Sequence, residues 1–290
     1  MKIFYSIIHI VFFSYVYSLP TVAKENIRVN TASDGNGRYA MQMLNLALSK
    51  IDTQYELITD ENVISQSRNI ELVSSGHSDL LWAATSQQME DTLLPIRIPL
   101  FKGLLGHRIF IIRKGDQPRF DQINTIEDLR RLTFGQGKTW ADTEILRNNN
   151  LTVITANKYQ GLFYMLDGSR FDAFPRGVQE PWQELLDNSN LPLVVEEKTM
   201  LIYRMPFYFF TTKSNKKLAA DIELGLNRAI ADKSFDQVFF NDPMIKSVIE
   251  KANLKQRKIF KISNPGLPKE TPLEREELWL DIESLDNSVR

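Results

Sequence analysis

The sequence predicts an α/β protein of two lobes, each a mostly parallel sheet flanked by helices, with a ligand cleft between the lobes. Two observations carry this reading. Strand and helix patterns alternate twice along the chain, once over residues 26–85 and again from about 125 to 177, separated by an extended apolar stretch. The chain then passes back between the two alternations. In open parallel sheets, ligands sit beyond the carboxyl ends of the strands, so the turns 33–38, 85–90, 136–143 and 175–180, which all follow strands, are expected to face one cleft.

The first alternation opens with "NIRVNTA" (26–32), a short strand, and "SDGNG" (33–37), a polar glycine-rich turn. Ala40, Met43, Leu44, Ala47, Leu48 and Ile51 then fall at spacings of three and four, one face of a helix. "QYELIT" (54–59) is a second strand, residues 62–75 are read as helical and ended by Gly76, and "DLLWAAT" (79–85) is a third strand. Residues 96–116 read as extended chain, with "RIFIIR" apolar enough for a buried strand.

The second alternation begins where Thr125 and Asp128 form a capping-box pattern ahead of "IEDLRRL". "LTFGQG" is a strand, "WADTEILRNN" a helix and "LTVITA" (151–156) a strand. Tyr159, Leu162, Phe163 and Leu166 lie at helical spacing before a stop at Gly168, and "RFDAFPRG" (170–177) is a strand leading into a turn. Further on come "MPFYFFTT" (205–212), a helix from about Lys216 to Ile230, a second helix near 234–240 and a basic segment, "KANLKQRKIFK". The tail carries three prolines and an apolar tip at Leu278, Trp279 and Leu280, by which it is expected to dock.

The first 23 residues have one charge, Lys2, an apolar run from Ile3 to about Tyr17, and small residues at Ser18 and Ala23. This is the pattern of a secretory signal peptide cleaved after Ala23 or after Ser18. The run falls short of the roughly 20 apolar residues that span a bilayer, and His9 and Ser14 interrupt it. The formal charge moves from -1 to about -2 when Lys2 leaves, giving no basic excess for nucleic acid. There is no cysteine, hence no disulfide, thiolate or lipid attachment, and an exported chain must be held by its core. His77 and His107 are isolated, so no metal site is expected, and no cofactor is implied.

"FGQGKTWADT" (134–143) contains Gly-Lys-Thr, the end of a phosphate-binding loop. Such a loop needs a glycine five residues before Gly137 so that backbone amides can curl around phosphates, and that position is Leu132. The pattern for a nucleotide is therefore incomplete. A glycine turn, a hydroxyl and a helix start remain, which suit an anionic or polar ligand.

"INTIEDLRRLTFGQGKTWADTEIL", "YQGLFYMLDGSRFDAF" and "NKKLAADIELGLNRAIADKSFDQVFF" resemble, in order and spacing, segments of bacterial periplasmic solute-binding proteins of the polar amino-acid type (extracellular solute-binding protein family 3). The resemblance spans roughly residues 26–250. It implies the type II periplasmic-binding fold, closing on a small-molecule solute as a monomer and delivering it to an inner-membrane permease or a sensor protein. It implies lobe 1 over 24–106 and 205–262, lobe 2 over 107–204, and a surface-docked tail over 263–290. It matches Thr139 to the turn hydroxyl that touches a ligand carboxylate, with Gln136 in the same turn, and Thr85 and Ser86 to a loop lining the site. Two positions depart from the family. Glu90 stands where its α-carboxylate arginine belongs, and Arg176 and Gly177 occupy the region of its α-ammonium aspartate.

Each candidate has an alternative role. Thr139 contacts ligand or caps the helix, and Trp140 stacks on ligand or covers a lobe edge. Arg176 grips an anion through its planar fork or pairs with Glu180 or Asp142; the former favours an anionic solute. Trp82 lines the cleft or fills the core. Asp34 or Asn36 caps the first helix, while Arg38 and Tyr39 beside them are candidate contacts. Glu90 and Asp91 are expected to be solvated. Three functions compete: a periplasmic binding protein that does not turn its solute over, a dehydratase-like enzyme using Glu180 and Asp142 as acid or base, and a ligand-presenting partner of a signalling protein.

Overall fold

The structure, a computed structural model, describes residues 24–31 and 35–282. The expected leader, Asp34 and the last eight residues lie outside them. In the first lobe, β1 (Glu25–Asn30), α1 (Gly35–Ser49), β2 (Tyr55–Asp60), α2 (Gln66–Ser74), β3 (Leu80–Ala84), α3 (Gln87–Thr92) and β4 (Leu94–Ile96) follow one another. In the second come β5 (His107–Arg113), α4 (Gln117–Phe120), α5 (Ile126–Arg130), β6 (Thr133–Gly137), α6 (Ala141–Asn148), β7 (Thr152–Ala156), α7 (Tyr159–Asp167), β8 (Phe174–Gly177), α8 (Pro181–Asp187), β9 (Leu193–Val195) and β10 (Thr199–Ile202). The chain returns through β11 (Phe207–Thr211), α9 (Lys216–Ala231), α10 (Ser234–Asn241) and α11 (Pro243–Lys251), then adds β12 (Lys258–Lys261).

The first sheet has the order β2-β1-β3-β11-β4, with β1, β2 and β3 parallel and the returning β11 antiparallel to both its neighbours. Every residue of β11 is buried, which fits a strand covered on both faces. The second lobe repeats this plan. β6 and β7 run parallel, a single bridge from Phe134 to Ala173 joins them to the chain entering β8, and β5 lies antiparallel to β8, β9 and β10. Each lobe thus accepts one antiparallel strand from the chain segment that crosses between lobes.

Residues 258–261 do not stay with the first lobe as expected. β12 pairs in parallel with β10 at the edge of the second sheet, so the chain crosses between lobes a third time. Arg257 anchors this crossing, donating to the carbonyls of Ala252, Glu196 and Thr199.

Local rules explain most element starts. Thr125 and Asp128 form the predicted capping box, with the Asp128 carboxylate accepting from the Thr125 amide at 2.9 Å. The first helix begins at Gly35, five residues before its apolar stripe, and packs that stripe against α9. A methyl group on Gly225 of α9 would come within 2.1 Å of the Ala47 carbonyl, so glycine sets how closely these helices approach. Tyr39 stacks on Phe101 with ring centroids 4.6 Å apart and donates its hydroxyl to the Leu100 carbonyl at 2.9 Å. Tyr39 is thus a core residue and not a cleft contact. The chain beyond β12 crosses back over the connectors: Asn264 donates to the Arg204 carbonyl, Lys102 to the Glu277 carbonyl, and Trp279 lies over Gly103. No helix among the described residues is long and apolar enough to cross a membrane.

Candidate functional site

The carboxyl ends of β6 and β8, the start of β5 and the start of α1 meet in one polar cluster. Proline has no amide hydrogen to offer a neighbouring strand, and the β6–β8 ladder has only the Ala173 bridge. The Gln136 side chain reaches across from β6, donating to the Pro175 carbonyl at 3.4 Å. Beyond Pro175 the chain presents Arg176, turns at Gly177, and enters α8 through Glu180.

Glu180 is the hub. Its Oε2 accepts from the Gly177 amide at 2.6 Å and from Arg108 at 3.3 Å. Its Oε1 accepts from Asn36 at 2.7 Å and lies 3.1 Å from the Arg176 guanidinium. Asn36 belongs to the first lobe, in the opening turn of α1, so the carboxylate ties the two lobes together. Gln179 adds a long contact to the Asn36 side-chain oxygen at 3.5 Å.

Arg108 and Arg176 are each held by two carboxylates. Arg108 also pairs with Asp142 at 2.6 Å, and Tyr203 donates its hydroxyl to the same Asp142 oxygen. Arg176 forks onto Glu184, its Nη2 at 2.6 Å and its Nε at 2.9 Å, while Tyr159 donates to Glu184 at 2.6 Å. The Arg176 guanidinium carbon sits 5.0 Å from the Trp140 ring, 5.6 Å from Tyr159 and 4.9 Å from Phe174. The arginines and carboxylates of the cluster are all buried. Burial alone pushes the Arg176 guanidinium down, but Glu180 and Glu184 beside it hold it well above the ordinary value. Burial pushes the Glu184 carboxyl up, and Arg176 opposes that shift.

The expected residues distribute as follows. Gln136, Asp142, Arg176 and Glu180 lie in the cluster, and half-buried Trp140 borders it, its indole folded onto Gly137, where a methyl group would come within 2.5 Å. Arg176 takes the ion-pair alternative, with Glu180 and with Glu184. Thr139 is exposed, and the helix cap expected of it falls on Trp140, without a side-chain bond. Arg38 points away to an ion pair with Asp242 at 2.8 Å. Asn36 lies inside the first helical turn and serves the cluster.

The loop after β3 is built differently from expectation. Ser86 caps α3 by accepting from the Met89 amide, and Thr85 donates to Glu90 at 2.7 Å. Glu90 is buried and paired with Arg97, so the expectation that it is solvated is corrected; Asp91 is exposed. Trp82 is half-buried, edge-on to Phe209 on the face of the first sheet.

Sequence reasoning missed Arg108, Tyr159, Glu184 and Tyr203. Glu184 left one usable trace: Pro181 and an acid three residues later mark the first turn of a helix. Arg108, at the head of an apolar strand, gave none.

No protein-family model matches the sequence, and no curated protein matches it. Solved structures do match. An ancestral arginine-binding protein bound to arginine superposes with a TM-score of 0.57 at 16% identity, over 76% of this chain and 99% of that one. A histidine kinase sensor domain with similarity to periplasmic binding proteins gives 0.55 at 13% identity, over 76% and 96%. An ancestral amino-acid-binding protein, a precursor of cyclohexadienyl dehydratase, gives 0.53 at 15%, over 75% and 95%. The chain has the two-lobed type II periplasmic-binding-protein fold.

Proposed function

We propose that this protein is an exported solute-binding protein that captures a small polar solute between its lobes by hinge closure, for uptake through an inner-membrane permease or for presentation to a sensor. The observation that carries the reading is the buried polar cluster at the strand ends, spanned by the Asn36–Glu180 hydrogen bond between lobes. A site divided between two lobes is completed only when they close, so a solute that contacts both stabilises the closed state. The fold's neighbours support this: one binds arginine and one is a sensor domain. The apolar leader at residues 1–23 supports export to the periplasm.

An anionic solute, which Arg176 favoured on sequence grounds, loses its support, because that guanidinium is already committed to Glu180 and Glu184. The neighbour that is an amino-acid-binding precursor of cyclohexadienyl dehydratase keeps an enzymatic reading in view. However, Asp142, Glu180 and Glu184 all accept from buried donors, an arrangement that fixes charge in place rather than one that moves a proton.

Mass spectrometry of small molecules released by denaturing the purified protein tests the reading. A stoichiometric polar compound, returned unchanged after incubation with refolded protein, is expected. Conversion of that compound to a product would favour the enzyme instead.

A further inference from the structure

Resting on that reading of the cleft, we infer that the solute is a cation without a carboxylate group, an amine or guanidinium compound rather than an amino acid. Charge and unmet hydrogen bonds in the cluster both point to such a solute. Arg108 and Arg176 bring two positive charges to the cluster, and Asp142, Glu180 and Glu184 bring three negative ones, which leaves one negative charge in excess. Burial makes an uncompensated charge costly, so a solute that enters with a positive charge is favoured and one with a negative charge is opposed.

The unmet bonds point the same way. Gln136 and Gln179 are almost fully buried, and the side-chain oxygen of each lacks a donor among the described residues. Gln136 lies beside Arg176 through its bond to Pro175, and Gln179 faces Asn36. Two acceptors therefore await N–H or O–H groups, against one unmet donor, Arg108 Nε. The cluster already shows how it holds a planar cation, since the Arg176 guanidinium is forked by Glu184 and bordered by Trp140, Tyr159 and Phe174.

The cluster offers a carboxylate one open donor, Arg108 Nε, and no unpaired guanidinium. Both arginines of the cluster are matched, Arg108 to Asp142 and Glu180 and Arg176 to Glu180 and Glu184. A zwitterionic amino acid would bring a carboxylate into a site already in negative excess.

Agmatine and arginine differ only in the carboxylate, which makes them the deciding pair. Calorimetric titration of the refolded, ligand-free protein at pH 7 is expected to show agmatine binding at least tenfold more tightly than arginine, with glutamate showing no heat. Equal affinity for the pair, preference for arginine or any binding of glutamate would overturn the inference. So would silence towards all three. In that last case, rebinding of the small-molecule extract released from the purified protein separates the two failures: heat from the extract leaves solute binding standing and removes only the cation, whereas no heat removes both. Glu180→Gln provides a check on the charge argument, with agmatine affinity expected to fall at least tenfold while the far-UV circular dichroism is retained. If that variant does not fold, Glu184→Gln serves in its place, and unchanged agmatine affinity in a folded variant counts against the inference.

Discussion

Asn36 at the start of α1 donates its side-chain amide to Glu180 at the start of α8 across 2.7 Å, joining residues 144 apart in sequence and on different lobes. Replacing Asn36 with alanine leaves one lobe of the Glu180 oxygen unfilled and removes a bond that exists only when the lobes are together. The Asn36→Ala protein is expected to unfold in urea within about 1 kcal/mol of the parent. Its radius of gyration by small-angle X-ray scattering should nevertheless be larger, because the closed state has lost support.

Glu180→Ala has a larger expected effect. It strips two buried guanidinium groups, the Gly177 amide and Asn36 of a shared acceptor. Each arginine keeps one carboxylate, Asp142 or Glu184, so the cost comes from the buried donors left without an acceptor, about 1–3 kcal/mol. Urea denaturation followed by tryptophan fluorescence measures it, and a loss below about 1 kcal/mol would mean that Glu180 is not the hub described.

Much of the fold was legible because both alternations keep a clean helical or strand period. The stripe from Ala40 to Leu48 and the capping box at Thr125 are examples where local chemistry and tertiary packing agree. The short α3, α8 and α11, and the edge strand β12, escaped. They lack a long apolar face, and β12 in particular reads as a basic loop until its pairing with β10 is seen. Within the candidate cluster, Gln136, Asp142, Arg176 and Glu180 stand out in the sequence because they sit at strand ends or helix starts. Tyr39 misled because its position in the sequence, beside the turn, says nothing of which way α1 faces; the helix turns it inward onto Phe101. Ion pairing also decides outcomes that a single residue cannot reveal, as with Arg176 and Glu184.

The tail packs against the connectors between the lobes. The Trp279 ring covers Gly103, whose φ of +76° suits glycine, and lies 4.9 Å from the Arg204 guanidinium carbon. Leu278 beside it is buried. Trp279→Ala is expected to destabilise the protein by about 2 kcal/mol, from lost apolar burial and a lost cation–π contact. Differential scanning calorimetry should show a single transition shifted downward.

His107 sets a pH dependence. Burial, with Arg204 and Arg108 nearby, pushes its imidazole down from the usual 6.5 to about 4, although hydrogen bonding to the Gly103 carbonyl opposes the shift. The folded value lies below the unfolded one, so the unfolded chain binds the extra proton between them. The contribution of His107 to stability is therefore complete above pH 6.5, declines as pH falls towards 4, and changes no further below that. Urea midpoints for the parent and His107→Asn, compared at pH 7.5, 6.0 and 4.5, should show the parent losing more on acidification; parallel slopes would place His107 in a solvated setting.

If the strand-end cluster is a cleft that closes on a solute, the distance across it shortens when solute binds. The chain has no cysteine, so Gln88→Cys and Gln160→Cys, at exposed positions on opposite lobes, accept two spin labels without interference. Pulsed electron–electron resonance would be recorded on protein stripped by denaturation and refolding, then again with the small-molecule extract that denaturation released. A broad distribution that collapses to a single shorter distance when the extract is returned is the predicted result. An identical distribution in both samples would contradict it.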